Sequence, residues 1–517
     1  MTWPPAAERE ACDPRLRQPG LRWLALLWLA LLWLALLWLA SACAVRPPAP
    51  VTVLDEQVPA AWQASREPES ALAIDDAGGD TAPALWWSAF GDPLLDSLIR
   101  EAQAKSYDLA AVAADLDAAW AQARIAGAER LPQLSAGMDA SRRQQVFVGL
   151  PIPGTAGVLP SRSTSVGISL NIGWEADLWG RLKAGQAAAR ADATTAAFDF
   201  DAARLSISAQ TAKAYFALRE ASRQRELARA TLSSRQQTVA RTTARYRRGI
   251  APPLDVRLAR LEQAQATAEL ARRTRVEAGT RRALELLVGR YPAGHIAAGE
   301  GPLPPPPAAP PAGLPAELVR RRPDLAAAEQ RLLAAGWQLA EARAALYPRL
   351  SLTGSAGTTS DQLRDLVDRD FSVWNLAGNI LGPIFQGGRL RAAVELREAS
   401  RERALAAYAS AVLSAFAEVE TALDDAARLA AEEAALADAG NEARRAAKLA
   451  RARYNAGLGD ADAFLQVLEA DRRSLAADSQ LAAIRGARLS NRIDLYVALG
   501  GGLPAGRPAA TSKEPAS

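Results

Sequence analysis

Leu131-Pro132-Gln133-Leu134-Ser135 and, 216 residues later, Tyr347-Pro348-Arg349-Leu350-Ser351 decide how this chain is built. Each closes a block that opens on the same four residue types, Asp108-Leu109-Ala110-Ala111 in one case and Asp324-Leu325-Ala326-Ala327 in the other, with no gap between. Working outward, Gly180-Arg181-Leu182 returns as Gly388-Arg389-Leu390. Ala244-Arg245-Tyr246 with Gly249 returns as Ala452-Arg453-Tyr454 with Gly457, and both of these later matches share an offset of 208. The long segment between them therefore has one length in both copies. The eight-residue difference falls between Ser135 and Gly180, where Val146 to Arg162 reads as the longer loop. A repeat of this size exceeds a solenoid unit. One unit, helix then two strands then long helices, is used twice to build one object.

Within each copy the periodicity switches. Val166, Ile168, Leu170, Ile172 and Trp174 alternate with Ser165, Gly167, Ser169, Asn171 and Gly173, a period of two with one apolar and one small polar face. Leu134, Ala136 and Met138 alternate with Ser135, Gly137 and Asp139. In the second copy Leu350 and Leu352 alternate with Ser351, Thr353 and Ser355, and Trp374, Leu376 and Ile380 with Asn375, Ala377 and Asn379. Strands are predicted around 134–143, 164–174, 349–358 and 371–381. At about ten residues each they match the length that crosses a bilayer at barrel tilt, although a soluble sandwich shows the same alternation. Trp174 and Trp374 suit an aromatic girdle. Four strands cannot close a barrel, and an open edge in lipid leaves backbone groups unpaired at several kcal/mol each. Strands that cross a membrane here require an oligomer: two copies give eight strands and three give twelve.

The helices are long. No proline occurs between Pro160 and Pro252 or between Pro383 and Pro504, so Leu182 to Arg248 can run about 100 Å as one helix. Val412, Phe416, Val419 and Leu423 mark a helical seam. Gly249 and Gly457 stand where a left-handed C′ residue ends a helix. Asp255, and Asp460 or Asp462, are candidate N-caps of the helices that follow, which makes these positions the tips of antiparallel hairpins. Between the copies, Pro304 to Pro307 read as an extended linker.

The N-terminus reads as an address. Arg15, Arg17 and Arg22 precede an 18-residue apolar run from Trp23 to Ala40, followed by Ser41-Ala42-Cys43: a charged region, a hydrophobic region and small residues before a cleavage point. The run also just reaches the length of a membrane-spanning helix. Ala40-Ser41-Ala42-Cys43 resembles a bacterial lipobox, in which the cysteine is acylated and becomes the mature N-terminus, though leucine is commoner where Ala40 stands. An ordinary signal peptide with an incidental cysteine is the alternative. Ala44 after the cysteine, instead of aspartate, points by the same resemblance to the outer membrane. Cys12 would leave with the leader, so no thiol or disulfide is expected in the mature chain.

Composition excludes other classes. Hydrophobic residues make up 49% but aromatics only 6%, which favours close-packed, alanine-rich helices over a bulky core. A formal charge of +4, with arginines interleaved among acids, offers no patch for nucleic acid. His295 is the only histidine, Gly500-Gly501-Gly502 lacks the lysine of a phosphate loop, and no nucleophile–base pair or metal cluster can be assembled. No catalytic residue, cofactor or metal is expected, and the chain does not read as an enzyme.

From about Trp86 to Gly502 the chain closely resembles the outer membrane factor family, specifically the lipoprotein channel subunits of tripartite (RND-type) efflux systems. Trp86-Trp87 with Phe90-Gly91-Asp92-Pro93, Arg320-Arg321-Arg322-Pro323-Asp324-Leu325 and Pro348-Arg349-Leu350-Ser351-Leu352 carry the resemblance. Phe385-Gln386-Gly387-Gly388-Arg389-Leu390 and Leu495-Tyr496-Val497-Ala498-Leu499-Gly500 complete it. It implies an α+β membrane protein: a homotrimer with a twelve-stranded outer-membrane β-barrel, four strands per chain, continued by a long periplasmic α-helical barrel. The implied organisation is a lipoprotein signal peptide at 1–42, an extended lipid-anchored segment at 43–85, a first repeat at 86–300, a proline-rich linker at 301–316, a second repeat at 317–502 and a C-terminal tail at 503–517.

The resemblance further implies a passive exit duct for small molecules such as drugs or other toxic compounds, anchored in outer-membrane lipid through Cys43. It would be joined to an inner-membrane transporter by a periplasmic adaptor. Adaptor contact falls by position on Arg245, Tyr246 and Gly249 at the first tip and on Arg453, Tyr454 and Gly457 at the second. The periplasmic gate maps onto Asp462, Leu465, Glu469 and Arg472. Leu465 is then the apolar constriction, Glu469 the acidic gate residue and Arg472 its partner one turn on. Glutamate stands where related pumps often carry aspartate. A change on the first hairpin, such as Glu262→Ala, is expected to matter less. A type I protein-secretion channel and a periplasmic coiled-coil spacer lipoprotein are the alternative readings. The cargo, and the adaptor and transporter served, are not encoded in this chain.

Overall fold

The structure is a computed structural model and describes residues 62–63, 85–148, 158–299, 301–312, 315–456, 458 and 463–501. Its contacts gather into two compact units. One holds the described residues within 126–186 and 337–397, and the other the remaining described residues.

The first unit contains a four-stranded antiparallel sheet in the order β1 (Gln133–Val148), β2 (Val158–Ala176), β3 (Arg349–Ser360) and β4 (Ser372–Leu381). Residues opposite one another in a ladder share a face, so the register tests the alternation across the whole sheet. One row runs Ala136, Leu170, Ala356, Trp374 and the next runs Leu134, Ile172, Gly354, Leu376. A row between them runs Ser135, Asn171, Ser355, Asn375. The faces stay segregated through all four strands.

Among the described residues most of the apolar face is uncovered: Leu134, Met138, Leu170, Trp374, Leu376 and Ile380 are all exposed, Trp374 by 80%, and Val166 at its outer end is buried. Trp174 and Trp374 both lie on it, but Trp174 pairs with Leu352 and Trp374 with Ala356. Four residues along a strand separate those levels by roughly 13 Å, so the two rings do not share one girdle within a chain.

The first hairpin is longer than the alternation predicts. Arg142↔Thr164 in the first copy corresponds to Thr358↔Ser372 in the second, at the offsets 216 and 208. Above that level lie residues 143–163 in one copy and 359–371 in the other, which accounts for the whole eight-residue difference. The first copy continues the ladder to Val148↔Val158, through the stretch expected as loop. The second turns at once, through 3-10 segments Leu363–Val367 and Arg369–Phe371. Backbone pairing rather than side-chain pattern sustains the extension, since Arg142, Arg143, Gln144 and Gln145 interrupt the apolar face there.

The second unit is helical. Its N-terminal elements are α1 (Pro93–Lys105) and α2 (Tyr107–Ala128), the latter ending in the sheet unit. The long helices are α3 (Arg181–Arg247) and α4 (Pro253–Leu287) in the first copy. In the second, α5 (Pro315–Arg321) and α6 (Pro323–Ala344) are followed by α7 (Arg389–Asn455) and α8 (Ala463–Ala498). Helices α3 and α7 each have 67 residues, and α2 and α6 each have 22, at the sequence offsets. No helix among the described residues is long and apolar enough to cross a membrane.

The distant motifs meet in one core. Trp86 is fully buried and stacks on Tyr496 at 5.6 Å, with Leu95, Phe216, Leu489 and Ile493 in the same cluster. Gly91 takes a left-handed φ of 63°, which releases Asp92 to cap α1 by accepting from the backbone N–H groups of Leu94 and Leu95. The other oxygen of Asp92 accepts from the Tyr215 hydroxyl at 2.6 Å and lies 3.1 Å from Arg219. In the second copy Arg322 is buried and spans from Asp324 at 2.7 Å to Glu418 at 2.5 Å. Trp62 is buried against this second cluster and meets Phe416 edge-on at 6.0 Å.

Candidate functional site

At the end of α3, Gly249 takes φ 75°. Its N–H donates to the Tyr246 carbonyl, and that of Ile250 donates to the Arg245 carbonyl. This is a Schellman stop with glycine at C′. The Leu458 N–H donates to the Arg453 carbonyl, the same closing bond at the offset of 208. Gly457, Asp460, Asp462 and Cys43 lie outside the described residues, as do 1–61, 64–84 and 502–517.

Asp255 does not cap α4. Pro252 holds that place without a side-chain bond, and Asp255 sits inside the first turn, buried, 3.4 Å from the Tyr454 hydroxyl. Proline is preorganised for a helix start, and the aspartate turns inward to the second hairpin instead. Burial pushes its carboxyl up from the ordinary value of 3.8, opposed by the Tyr454 hydrogen bond and the Arg245 charge. Arg245 lies over the Tyr454 ring at 4.6 Å, and Tyr454 packs on Phe464 at 5.4 Å. Phe464 and Leu468 are buried with Ala259. Tyr246 and Arg453 point to solvent.

Along α8 the faces are distinct. Phe464, Val467, Leu468 and Asp471 are buried, while Leu465, Glu469 and Arg472 are exposed at i, i+4 and i+7 on one side. The pairing expected between Glu469 and Arg472 is the weaker contact, at 3.9 Å. Arg472 instead pairs at 2.7 Å with Glu262 on α4, which holds its guanidinium further up from the ordinary value, and Glu469 pairs with Arg473 at 2.9 Å. The buried carboxylate of Glu262 is the better partner because water screens it less.

Behind Arg472 the charges continue inward. Arg235 on α3 is buried between Asp471 at 2.9 Å and Glu262 at 3.8 Å, and Arg451 on α7 reaches Asp471 at 2.8 Å. One charged cluster thus touches all four long helices. Sequence reasoning missed Arg235, Asp471 and Arg451, because ionic residues on alanine-rich helices look solvated until packing is known. Asp471 stands three residues after buried Leu468 and four before half-buried Leu475, on the apolar spacing of α8, and that was the one available signal.

An exposed apolar sheet face opposite a polar one, with two long helical hairpins, has the features that a channel subunit of an outer membrane needs. The chain belongs to the outer membrane efflux protein family, whose profile matches residues 98–290 and 314–501. Outer membrane protein OprJ of Pseudomonas aeruginosa is 35% identical over 468 residues, spanning 89% of this chain and 92% of that one. Toluene efflux pump outer membrane protein TtgF of Pseudomonas putida is 34% identical over 417 residues, 81% of this chain and 85% of that one. Among solved structures, the outer-membrane channel OprN superposes with a TM-score of 0.79 at 27% identity, covering 89% of this chain and 99% of that one.

The fold is that of the family's trimeric channels, in which each chain supplies four strands of a twelve-stranded outer-membrane barrel together with long α-helices. Its function is that of an outer-membrane exit duct in an efflux pump.

Proposed function

We propose that this duct conducts small organic molecules, received from an inner-membrane transporter through a periplasmic adaptor, and that Cys43 anchors it by acylation. The carrying observation is the sheet itself. Its apolar face, exposed in the chain, suits lipid, and its row of Ser135, Asn171, Ser355 and Asn375 suits water. The toluene efflux relative supports small organic cargo over protein. The exposed tip residues Tyr246 and Arg453, beside the Gly249 stop, are the surface offered to the adaptor, with Arg245, Tyr454 and Gly457 in support. The gate is assigned to Leu465, Glu469 and Arg472, and by sequence position to Asp462.

Native mass measurement in detergent tests the assembly: three chains are expected, and a soluble monomer without detergent would sink the duct. Intact mass of the exported protein tests the anchor. Acylated Cys43 at the N-terminus is the expected species, lost in Cys43→Ser, whereas an unmodified Cys43 in wild type would end the anchor proposal. Because the barrel also holds the protein in the membrane, Cys43→Ser is expected to retain part of its efflux activity.

A further inference from the structure

The helical unit has two cores, and helix α8 belongs to both. Leu489, Ile493 and Tyr496 enter the core that holds Trp86, whose other helices, α1, α3 and α4, come from the first copy of the repeat. Leu495, Ala498 and Leu499 enter the core that holds Trp62, with α5, α6 and α7 of the second copy. At about 100° per residue, Arg492 falls between Tyr496 on one side and Leu495 and Leu499 on the other. A cation therefore stands on the line where the two cores meet.

Arg492 is only 7% exposed, and its Nη1 has no hydrogen-bond partner among the described residues. Burial pushes its guanidinium below the ordinary value of 12.5. The charged or titratable groups acting on it are the Tyr496 hydroxyl one turn on and a second arginine, Arg488, one turn back. No carboxylate is among them. The acid on that side is already engaged: Glu433 on α7 accepts from Arg485 at 2.8 Å and from Arg488. Three arginines of α8, at 485, 488 and 492, thus face one acid. Asp494 is exposed and pairs with Lys213.

A buried charge is costly unless it is paired and hydrogen-bonded. Donors are in surplus around this one. Burial keeps the Tyr496 hydroxyl protonated by pushing its ionisation above the ordinary value of 10.0, so it too can donate. The Tyr496 ring stacks at 5.6 Å on Trp86, whose fully buried indole N–H is a further donor without a partner. What the group needs is an acceptor with one negative charge. The planar fork of a guanidinium matches the two oxygens of a carboxylate. A divalent anion would bring a second, unmatched charge into the apolar interior.

We infer that Arg492 anchors a buried anion site that takes one carboxylate, with the Tyr496 hydroxyl as the adjoining donor. The carboxylate comes from a small acid in solution or from the protein itself outside the described residues. From either source it neutralises the junction of the two cores and ties the copies of the repeat together through α8. Arg492→Lys and Arg492→Met separate charge from packing, since both keep a long stem and only lysine keeps the charge. An anion at the site makes Arg492→Lys the more stable of the two. An uncompensated cation reverses the order, because its removal relieves the fold.

The measurement is the thermal unfolding midpoint of the full-length protein in detergent, with sodium formate, the smallest carboxylate, raised a hundredfold to about 100 mM. Arg492→Met in the same series sets the general salt effect. Arg492→Lys is expected to stand above Arg492→Met at the highest formate. A wild-type midpoint that then rises by about 2 °C more than that of Arg492→Met assigns the carboxylate to solution. A wild type that does not respond assigns it to the protein itself. Where a variant is too unstable to melt, the yield of extracted protein gives the same order. Arg492→Met at or above Arg492→Lys at the highest formate would overturn the site.

Discussion

The two helical hairpins are alike in backbone and unlike in charge. Helices α3 and α7 have the same length and the same closing bond at their ends. Yet the first hairpin buries Arg235, Asp255 and Glu262, whereas the second exposes Leu465, Glu469, Arg472 and Arg473 and buries only Asp471 among its described charged residues near the tip. Duplication preserves what hydrogen bonding along the main chain fixes, and side chains then divide the labour. The first hairpin is a holder with inward charges. The second presents its charges outward and is held through Arg472 and Asp471.

The strongest way to break this contrast is to remove one side of the buried pair. Arg235→Ala or Asp471→Ala leaves a buried charge without its partner, and such losses run to about 3–5 kcal/mol. The thermal unfolding midpoint of the detergent-solubilised protein should fall clearly in either single variant. Arg235→Leu combined with Asp471→Leu should recover most of it. Single variants as stable as wild type would mean that the cluster is solvated and the holder role wrong.

A second measurement sharpens the contrast through conductance. The Arg472–Glu262 pair is more than half exposed on the arginine side, so breaking it should change stability by about 1 kcal/mol or less. The same change occurs three times in a trimer. Arg472→Glu should raise single-channel conductance in planar bilayers by repulsion from Glu262 and Glu469, and Leu465→Ala should raise it sterically. Glu262→Ala, expected from the sequence to matter less, should instead resemble Arg472→Glu, because Glu262 is what holds that arginine. If Arg472→Glu and Leu465→Ala both conduct as wild type with trimers intact, the constriction lies elsewhere.

The smallest effect concerns Asp255. Its folded pKa is raised by burial, so its favourable contribution is full below the ordinary value of 3.8 and is lost as pH rises through the folded value. The start of α4 should therefore protect its amides less at pH 7 than near the ordinary value of 3.8, after correction for intrinsic exchange. The groups that face Asp255 are the Arg245 guanidinium and the Tyr454 hydroxyl, whose own ionisation burial pushes up from the ordinary value of 10.0. Asp255→Asn should flatten the profile. An unaltered slope in that variant would show that another group sets it.

Much of this was legible beforehand, for identifiable reasons. The equal length of α3 and α7 follows from the constant offset between Gly180 and Gly249, and the faces of the sheet from the alternation around Leu170 and Leu376. The upper part of β1 was not legible. Gln144 and Gln145 carry no strand pattern, and only the ladder to Arg162 and Ser161 keeps them extended. Asp255 looked like a cap because aspartate near a helix start usually is one; Pro252 takes the place, and the tertiary contact to Tyr454 decides. The sequence offers Arg472 only its partner on the same helix, Glu469, because periodicity sees one helix at a time; Glu262 approaches more closely from another.

The eight-residue insertion found at the strand tip has a counterpart in what the helices lack. Between the copies, 67 helical residues carry no net insertion or deletion. One added residue would rotate everything beyond it by about 100° and advance it by about 1.5 Å. In α7 that would carry Arg451 off Asp471 and swing the tip away from its partner. The strand tip can lengthen by whole ladder rungs and disturb nothing below. Tolerance to change in length is thus distributed very unevenly along this chain. A scan of insertions would map it as a sharp boundary: whole rungs, one residue on each strand, silent above Arg142, and single alanines damaging throughout α3 and α7.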